Sequence, residues 1–492
     1  MPAAYCAAVC FLAATPEPLA RSTIPNCMSL PEEPSQAWAT DTSVPRVGRV
    51  LFVSYDFPPC ARIGALSCAQ IVRYLPSHGW DPIVLSVREQ YYEMRDPRLE
   101  VPAQVIRTRV LPHPLALYHR ARVSGHGDGT PESSQATRPA SGRDARGMAA
   151  ARDVIVSLLD FPDIYAGWIP PAVIAGIHGI RRLGATRLVS SGPWWTNHIV
   201  GLLLARLTRL PWIAHFRDPW THSPGWDQES PFRRRLRTAL ERRVVTRADA
   251  VVCVTEQHTN LLRAHYPDLA RGKFTTIPNG YDEAEWSGTT CHDEAGGARS
   301  EFAIAYAGTL DDDRTPEPLF RAARGLIDRG ELDGGHLRFD FVGHCDTAQG
   351  RRVVDIAAEW GLEKCLRLHG VLSKAETFAV VLRSNLLLLL AEGWPLQIPA
   401  KTYEYLRAGL PILALAPPDG AVAALMGATG GGWVVDPSNE SGIRSALHDA
   451  YGRWRRGQPA QRPDPAVVAR FDRAGLVGEL ASLLSRIAPR RV

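Results

Sequence analysis

No run of apolar residues in this 492-residue chain reaches the roughly 18–20 positions that a membrane-spanning helix requires. The opening residues MPAAYCAAVCFLAA are apolar, but no Lys or Arg precedes them, whereas a secretory signal normally opens with positive charge. Residues 1–45 are therefore expected to form a disordered extension. Nine cysteines are scattered from Cys6 to Cys365 without a C-x-x-C pair. That argues against a disulfide framework or a zinc site and for reduced thiols in a cytosol. No G-x-G-x-x-G occurs, so the dinucleotide fingerprint is absent, and no self-similarity at a solenoid period is visible. Charge of one sign is also missing: 56 basic against 51 acidic residues leave a formal +5. Nucleic-acid binders carry dense basic stripes instead; a mild surplus suits a phosphate-bearing substrate and an anionic lipid surface. Residues 121–150 contain no Leu, Ile, Phe, Trp or Tyr. Such a segment cannot offset its ordering entropy by burial and is expected to be a disordered insertion.

What is present alternates. RVGRVLFVS from Arg46 reads as a buried strand. It is followed by a Pro/Gly loop and by a helix with Cys68, Ile71, Val72 and Leu75 on one face. Pro82–Val87 is a second strand, so the chain opens with a βαβ unit and a parallel sheet. After the insertion, helices over 168–183, 196–209 and 230–247 alternate with strands over 187–191, 212–216, 250–255 and 273–277. A polar, Gly-rich stretch over 284–300 is the expected linker. A second βα series has strands at 302–307, 338–342, 365–370, 385–390, 411–415 and 432–435. The final helix carries Leu476, Leu480, Leu483, Leu484 and Ile487 as a single apolar stripe that must dock on something.

Doubly wound domains bind ligands at the carboxyl ends of their strands, and four segments fall there. In SYDFPPCARIGA, Gly64 would let backbone N–H groups approach a phosphate at a helix start; the alternative is an ordinary Pro/Gly turn. In YAGTLDDDRTPEPL, Arg314 follows a glycine turn and suits a diphosphate; the alternative is a surface pair with Asp311, Asp312 or Asp313. Asp311 and Asp313 form a DxD, but clustered turn carboxylates are usually solvated, and no metal is expected. In QIPAKTYEYLRAGLPILAL, Ile398, Thr402, Tyr405 and Leu406 make one helical face, with Gln397, Lys401 and Glu404 on the opposite flank. Lys401 suits a pyrophosphate and Glu404 a pair of sugar hydroxyls; the alternative is a solvated i, i+3 pair. In LPWIAHFRDPW, a strand delivers His215 to its carboxyl end, as a sugar-contacting group or base or as a satisfied core histidine.

Together VLFVSYDFPP, PWIAHFRDPW, RADAVVCVTEQ, IPNGYD, YAGTL with Arg314, and IPAKTYEYLRAGLPIL resemble the family-4 glycosyltransferases of GT-B architecture. The motifs occur in the family's order over roughly residues 47–490 and lie closest to the bacterial surface-polysaccharide and glycolipid group. The resemblance implies an α/β fold of two Rossmann-like doubly wound domains facing a cleft: an acceptor domain over 46–285, a nucleotide-sugar domain over 300–456, and a helix over 465–490 that packs back on the first. It implies a retaining transfer from a nucleotide sugar to an acceptor hydroxyl without metal or other cofactor. By position, Glu404 matches the family's ribose-binding glutamate, Arg314 its diphosphate-gripping cation, His215 a histidine near the transferred sugar, and Gly64 the glycine loop. His215, Arg314 and Lys401 are the expected catalytic groups; Gly64, Thr309, Arg314, Lys401 and Glu404 are the expected donor contacts. Three positions depart from the pattern. Leu396 stands where the first glutamate of E-x7-E belongs, with Glu392 nearby but out of register. Thr309 stands where a second basic residue is common. The glycine loop has one glycine.

The expected chemistry is front-side displacement, with Arg314 and Lys401 stabilising the leaving diphosphate. A GT-B epimerase, or a degenerate protein that binds nucleotide sugar without turning it over, are the rival readings. PFRRRLRTALERRVVTR (231–247) has seven Arg, one Glu and the apolar positions Phe232, Leu236, Leu240 and Val244. It is expected to rest on anionic lipid or to dock in the core with a solvated face; the protein is expected to be cytoplasmic and, on the first of these readings, peripheral at the inner face of the membrane. Nothing suggests nucleic acid; the acceptor is expected to be a saccharide or a lipid-linked saccharide.

Overall fold

A computed structural model describes residues 45–112, 161–223, 229–287, 301–310 and 313–488. Residues 1–44, the insertion over 121–150, most of the linker, and Asp311 and Asp312 lie outside the described residues.

The first sheet holds β1 (Gly48–Val53), β2 (Trp80–Val87), β3 (Gln104–Thr108), β4 (Arg187–Gly192), β5 (Trp212–Phe216), β6 (Ala250–Cys253) and β7 (Phe274–Thr276), in the order β3-β2-β1-β4-β5-β6-β7. Every pairing is parallel. Parallel strands covered on both faces read as continuous apolar runs, and Val50, Leu51, Phe52 and Val53 are all fully buried. The second sheet contains β8 (Phe302–Ala307), β9 (Leu337–Val342), β12 (Leu366–Gly370), β13 (Leu386–Leu390), β14 (Ile412–Leu415) and β15 (Gly432–Val435). Its order is β12-β9-β8-β13-β14-β15. A two-stranded ribbon, β10 (Thr347–Ala348) and β11 (Arg351–Arg352), stands apart. The five leucines of β13 sit between β8 and β14 and are wholly buried.

Strand order reverses between β1 and β4 in the first sheet and between β8 and β13 in the second. At such switch points successive crossovers leave to opposite faces and open a crevice at the carboxyl ends. These two crevices are where ligand chemistry belongs.

The helix Arg473–Arg486 buries Leu476, Val477, Leu480, Leu483 and Leu484 against Val50, Phe52, Ile71, Val189 and Ile213 of the first domain. Arg187 fixes it by donating to the carbonyls of Leu484 and Ile487 at 3.0 and 3.2 Å. Its apolar stripe is thus spent on the opposite end of the chain.

The basic helix Pro231–Arg247 differs from the expected stripe. It buries Glu241, Val244 and Val245, while Phe232 is 55% exposed. Glu241 accepts from the Tyr266 hydroxyl at 2.8 Å and from the Thr221 hydroxyl and N–H at 3.1 and 2.9 Å. The lone acid of the segment therefore faces inward, and the outer face of the helix is arginine-rich.

Candidate functional site at the facing sheet edges

The second crevice begins where β8 ends. Gly308 adopts φ +148°, a conformation that side-chain-bearing residues rarely take. Its N–H bonds the Val342 carbonyl at 2.8 Å, and the N–H of Gly343 bonds Gly370 at 2.7 Å, so the ends of β8, β9 and β12 are tied together. Lys401 opens the helix Lys401–Ala408, and its Nζ lies 3.9 Å from the centroid of the Tyr306 ring. A Cβ on Gly308 would sit 2.3 Å from that Nζ. Glycine is what allows an ammonium to rest on this turn. The helix is anchored from its other flank by the Tyr405 hydroxyl, which accepts the Ala307 N–H at 2.7 Å.

Arg314 is half-buried near Glu392, which follows β13 across the switch point. Burial and the neighbouring Asp436 push the Glu392 carboxyl up to about 7, against the pull of Arg314. Its Oε1 is buried without a hydrogen-bond partner. Thr309 is exposed, and its carbonyl accepts the Tyr306 hydroxyl at 2.7 Å.

Glu404 does not share its flank with Lys401 as a simple pair. Its carboxylate takes the ammonium of Lys374, at the start of the helix Lys374–Leu382, and Lys374 also lies 3.3 Å from Glu285. Burial would lower the Lys374 pKa, but Glu404 and Glu285 hold it above the usual lysine value. The reason is topological: the Tyr306 face draws Lys401 towards Gly308, and a lysine 27 positions earlier fills the space beside Glu404.

In the first crevice the expected groups already have partners within the chain. His215 donates to or accepts from Ser191 Oγ through Nδ1 at 3.1 Å. It lines a cavity with Ile71, Asn279, Arg473 and Leu480 beneath the terminal helix. Burial, with Arg217 and Arg473 adding to it, lowers its pKa to about 3, so the ring is neutral. The residue that reaches the second domain is Asp218: its Oδ1 accepts from Gln397 Nε2 at 2.7 Å. Beside it, Thr255 Oγ1 donates to the Leu396 carbonyl at 2.7 Å. The position lacking the expected glutamate thus contributes its backbone to the contact between the two sheet edges.

Gly64 also differs from the expected open phosphate loop. Its carbonyl accepts from Arg217 Nη1 at 2.9 Å, and Arg217 donates further to Gly192 and Pro193 at 3.2 and 2.8 Å. A Cβ on Gly64 would meet Nη1 at 3.0 Å. The glycine admits a guanidinium that ties three loops together.

Several groups at the β1/β4 switch point escaped the sequence reading. Asp56 accepts from Trp194 Nε1 at 3.0 Å, and burial raises its pKa. Arg62 donates to the Tyr165 hydroxyl at 2.9 Å and to Glu93 at 2.6 Å. Asn197 accepts the Tyr55 N–H at 2.9 Å. The tryptophan pair in GPWWTN, directly after a buried strand, was the available signal. Among the described residues no group of three or more His, Cys, Asp or Glu is arranged to hold a metal ion, and no helix is long and apolar enough to cross a membrane.

Two doubly wound sheets meeting at their carboxyl edges, with a terminal helix returned to the first, define the GT-B glycosyltransferase fold. Residues 138–285 match the Glycosyltransferase Family 4 model. No curated protein matches the sequence. Among solved structures, HepE of Anabaena in complex with UDP and glucose is similar at TM-score 0.55 and 14% identity, covering 89% of this chain and 99% of that one. Sucrose-phosphate synthase from Thermosynechococcus elongatus is similar at TM-score 0.55 and 15% identity, covering 89% and 94%. WaaG, a glycosyltransferase involved in lipopolysaccharide biosynthesis, is similar at TM-score 0.51 and 14% identity, covering 89% and 100%. At these identities the likeness establishes the fold.

Proposed function

We propose that the protein transfers a sugar from a nucleotide-sugar donor to an acceptor hydroxyl, with retention of anomeric configuration and without a metal. The observation that carries this reading is the Lys401 ammonium seated on the Gly308 turn, with Arg314 on the loop that follows. Two cations at the switch point of the second sheet suit a leaving diphosphate, whose developing charge they neutralise without reorganising. In the front-side reaction the acceptor oxygen bonds the anomeric carbon as the sugar–phosphate bond breaks. The acceptor proton passes to the departing phosphate oxygen. Protein groups position and neutralise, which supplies effective concentration rather than a covalent nucleophile. Glu404, already a carboxylate acceptor for Lys374, is assigned to the ribose diol. Asp218 and Gln397 are assigned to closing the acceptor side over the donor.

The solved structure of HepE with UDP and glucose, and the part WaaG takes in lipopolysaccharide biosynthesis, support a nucleotide sugar as donor and surface polysaccharide or glycolipid as product. The arginine-rich outer face of the helix Pro231–Arg247, with Phe232 exposed at its start, supports contact with an anionic membrane, each basic residue contributing about 1 kcal/mol near the surface. Release of free sugar from UDP-sugars and GDP-sugars, assayed with excess EDTA, tests the reading. Donor hydrolysis or transfer that survives chelation is expected. Saturable nucleotide binding with no turnover would favour a non-catalytic binding protein, and sugar isomerisation without acceptor would favour an epimerase.

A further inference from the structure

The helix Lys374–Leu382 opens with a complete capping box: Ser373 accepts the Glu376 N–H, and Glu376 accepts the Ser373 N–H. A cation in the first helical position opposes the dipole, which favours negative charge at an amino end. Lys374 is therefore not placed there to stabilise its own helix. Its ammonium reaches away and bridges two carboxylates, that of Glu404 in the donor crevice and that of Glu285 at 3.3 Å. It also stands 5.2 Å from the centroid of the Phe378 ring. A residue that breaks the local rule of its element and answers distant groups points to the site those groups serve.

Glu285 comes from the turn Glu283–Trp286 at the end of the first domain, and this turn is moored on two sides. Towards the first sheet, Asp282 accepts the Tyr74 hydroxyl at 2.5 Å, and Glu285 Oε1 accepts from Gln70 Nε2 at 3.0 Å. Both partners lie on the helix Ile63–Tyr74. Towards the second sheet, Arg407 donates to Glu283 at 2.6 and 2.5 Å, and Trp286 stacks on Phe378 with centroids 3.8 Å apart. Glu285 is thus fixed, with one oxygen on Gln70 and the other on Lys374. Of the Glu404 carboxylate, Lys374 engages Oε1; among the described residues no hydrogen bond is made to Oε2, and an ionised carboxylate accepts several. The lysine takes one edge of Glu404 and leaves the other to a ligand. Without the ammonium, Glu285 and Glu404 would face each other as like charges, and each would disfavour the other's ionised form.

We propose that Lys374, steered by Glu285 and Gln70, is a positioning residue that fixes the Glu404 carboxylate so that its free oxygen meets the ribose hydroxyls of the donor. The inference rests on the assignment of Glu404 to the ribose diol. It makes the presentation of that carboxylate depend on a helix of the other domain.

The full chain is titrated calorimetrically with UDP, GDP and ADP, and the tightest of these is compared with its 2′-deoxy and 3′-deoxy counterparts. The ratio of the dissociation constants reads the ribose contact alone, because a loss of packing or of attraction to the diphosphate moves all of them equally. Wild type should bind a deoxy nucleotide about tenfold or more weakly. Lys374→Met keeps an apolar chain over Phe378 and removes the ammonium; its ratio should fall towards parity. Glu285→Gln weakens the pull on the ammonium, should lose part of the discrimination, and carries the test if Lys374→Met fails to fold. Full discrimination in the variant so tested, with discrimination lost in Glu404→Gln, overturns the proposal and leaves the ribose assignment standing. Tighter nucleotide binding in Lys374→Met overturns it as well, because the lysine would then compete with the ribose. No nucleotide binding or no discrimination in wild type, or full discrimination in Glu404→Gln, overturns the ribose assignment and the proposal with it.

Discussion

Replacing Gly308 by alanine tests the donor crevice most directly, because one methyl group acts on two separable quantities. At φ +148° a non-glycine residue is strained by about 1–3 kcal/mol. The new Cβ would lie 2.3 Å from Lys401 Nζ. The ammonium is the free end of a flexible chain, so it would swing off the Tyr306 ring and forfeit a cation–π contact of about 0.5–2 kcal/mol. Gly308→Ala should therefore lower stability by about 1.5–5 kcal/mol. If the ammonium grips the donor's diphosphate, a charge-assisted bond of about 1.5–3 kcal/mol is lost as well, and nucleoside diphosphate affinity should fall roughly 10- to 100-fold. Lys401→Met separates the two effects. It removes the charge, keeps an apolar chain against Tyr306 and leaves the backbone unstrained. It should show the affinity loss with only the smaller stability loss of the cation–π contact, about 0.5–2 kcal/mol. Calorimetric titration with a panel of nucleoside diphosphates, beside thermal unfolding of each variant, measures both. Wild-type affinity in Lys401→Met would refute the placement of the diphosphate on the Gly308 turn.

The remaining predictions follow from burial and pairing. Glu392 is held protonated up to about 7 in the folded state, above its unfolded value; that stabilisation is full below the unfolded pKa and is lost as pH rises through about 7. Glu392→Gln should therefore flatten the decline of stability between about pH 4.5 and 7, as followed by urea unfolding across that range. His215 runs the other way: its folded pKa is depressed to about 3, so the neutral ring's contribution is present above the unfolded value near 6.5 and fades as pH falls towards 3. His215→Ala should lower melting temperature and turnover together; a large loss of turnover at unchanged melting temperature would instead support a direct catalytic role. Glu404→Gln weakens a carboxylate already paired with Lys374; calorimetry should show nucleoside diphosphate affinity down about tenfold per 1.4 kcal/mol lost, and equal affinity would leave Glu404 as a structural partner of Lys374. Phe232→Ser, at an exposed position on the arginine-rich helix, should reduce flotation with anionic liposomes at low salt and leave melting temperature unchanged.

The alternation of strands and helices was legible because fully buried parallel strands such as Leu386–Leu390 leave uninterrupted apolar runs. β3, Gln104–Thr108, was not read from the sequence. It is an edge strand with half-exposed side chains, and the apolar pattern weakens where one side of a sheet is open. The Lys401 and Arg314 positions could be proposed from local order after a strand. The partners of Glu404, Asp218 and Gly64 could not. Lys374, Gln397 and Arg217 lie 30, 179 and 153 positions away, and no periodicity reports on contacts between different crossovers. Glu241 was hidden for a related reason: a buried acid breaks an apolar stripe unless its acceptors' partners, Tyr266 and Thr221, are known.

The loop between β13 and the helix Lys401–Ala408 carries the two contacts to Asp218 and Thr255. The segment that delivers Lys401 is therefore moored on the opposite half of the molecule. Separation of the halves at this loop has to break both hydrogen bonds, each worth about 1 kcal/mol net. If donor exit requires that separation, each bond slows it about fivefold. Residence time would then be set by residues that touch no part of the nucleotide: Thr255→Val and Gln397→Leu would hasten product departure while leaving the chemistry of bond breaking alone.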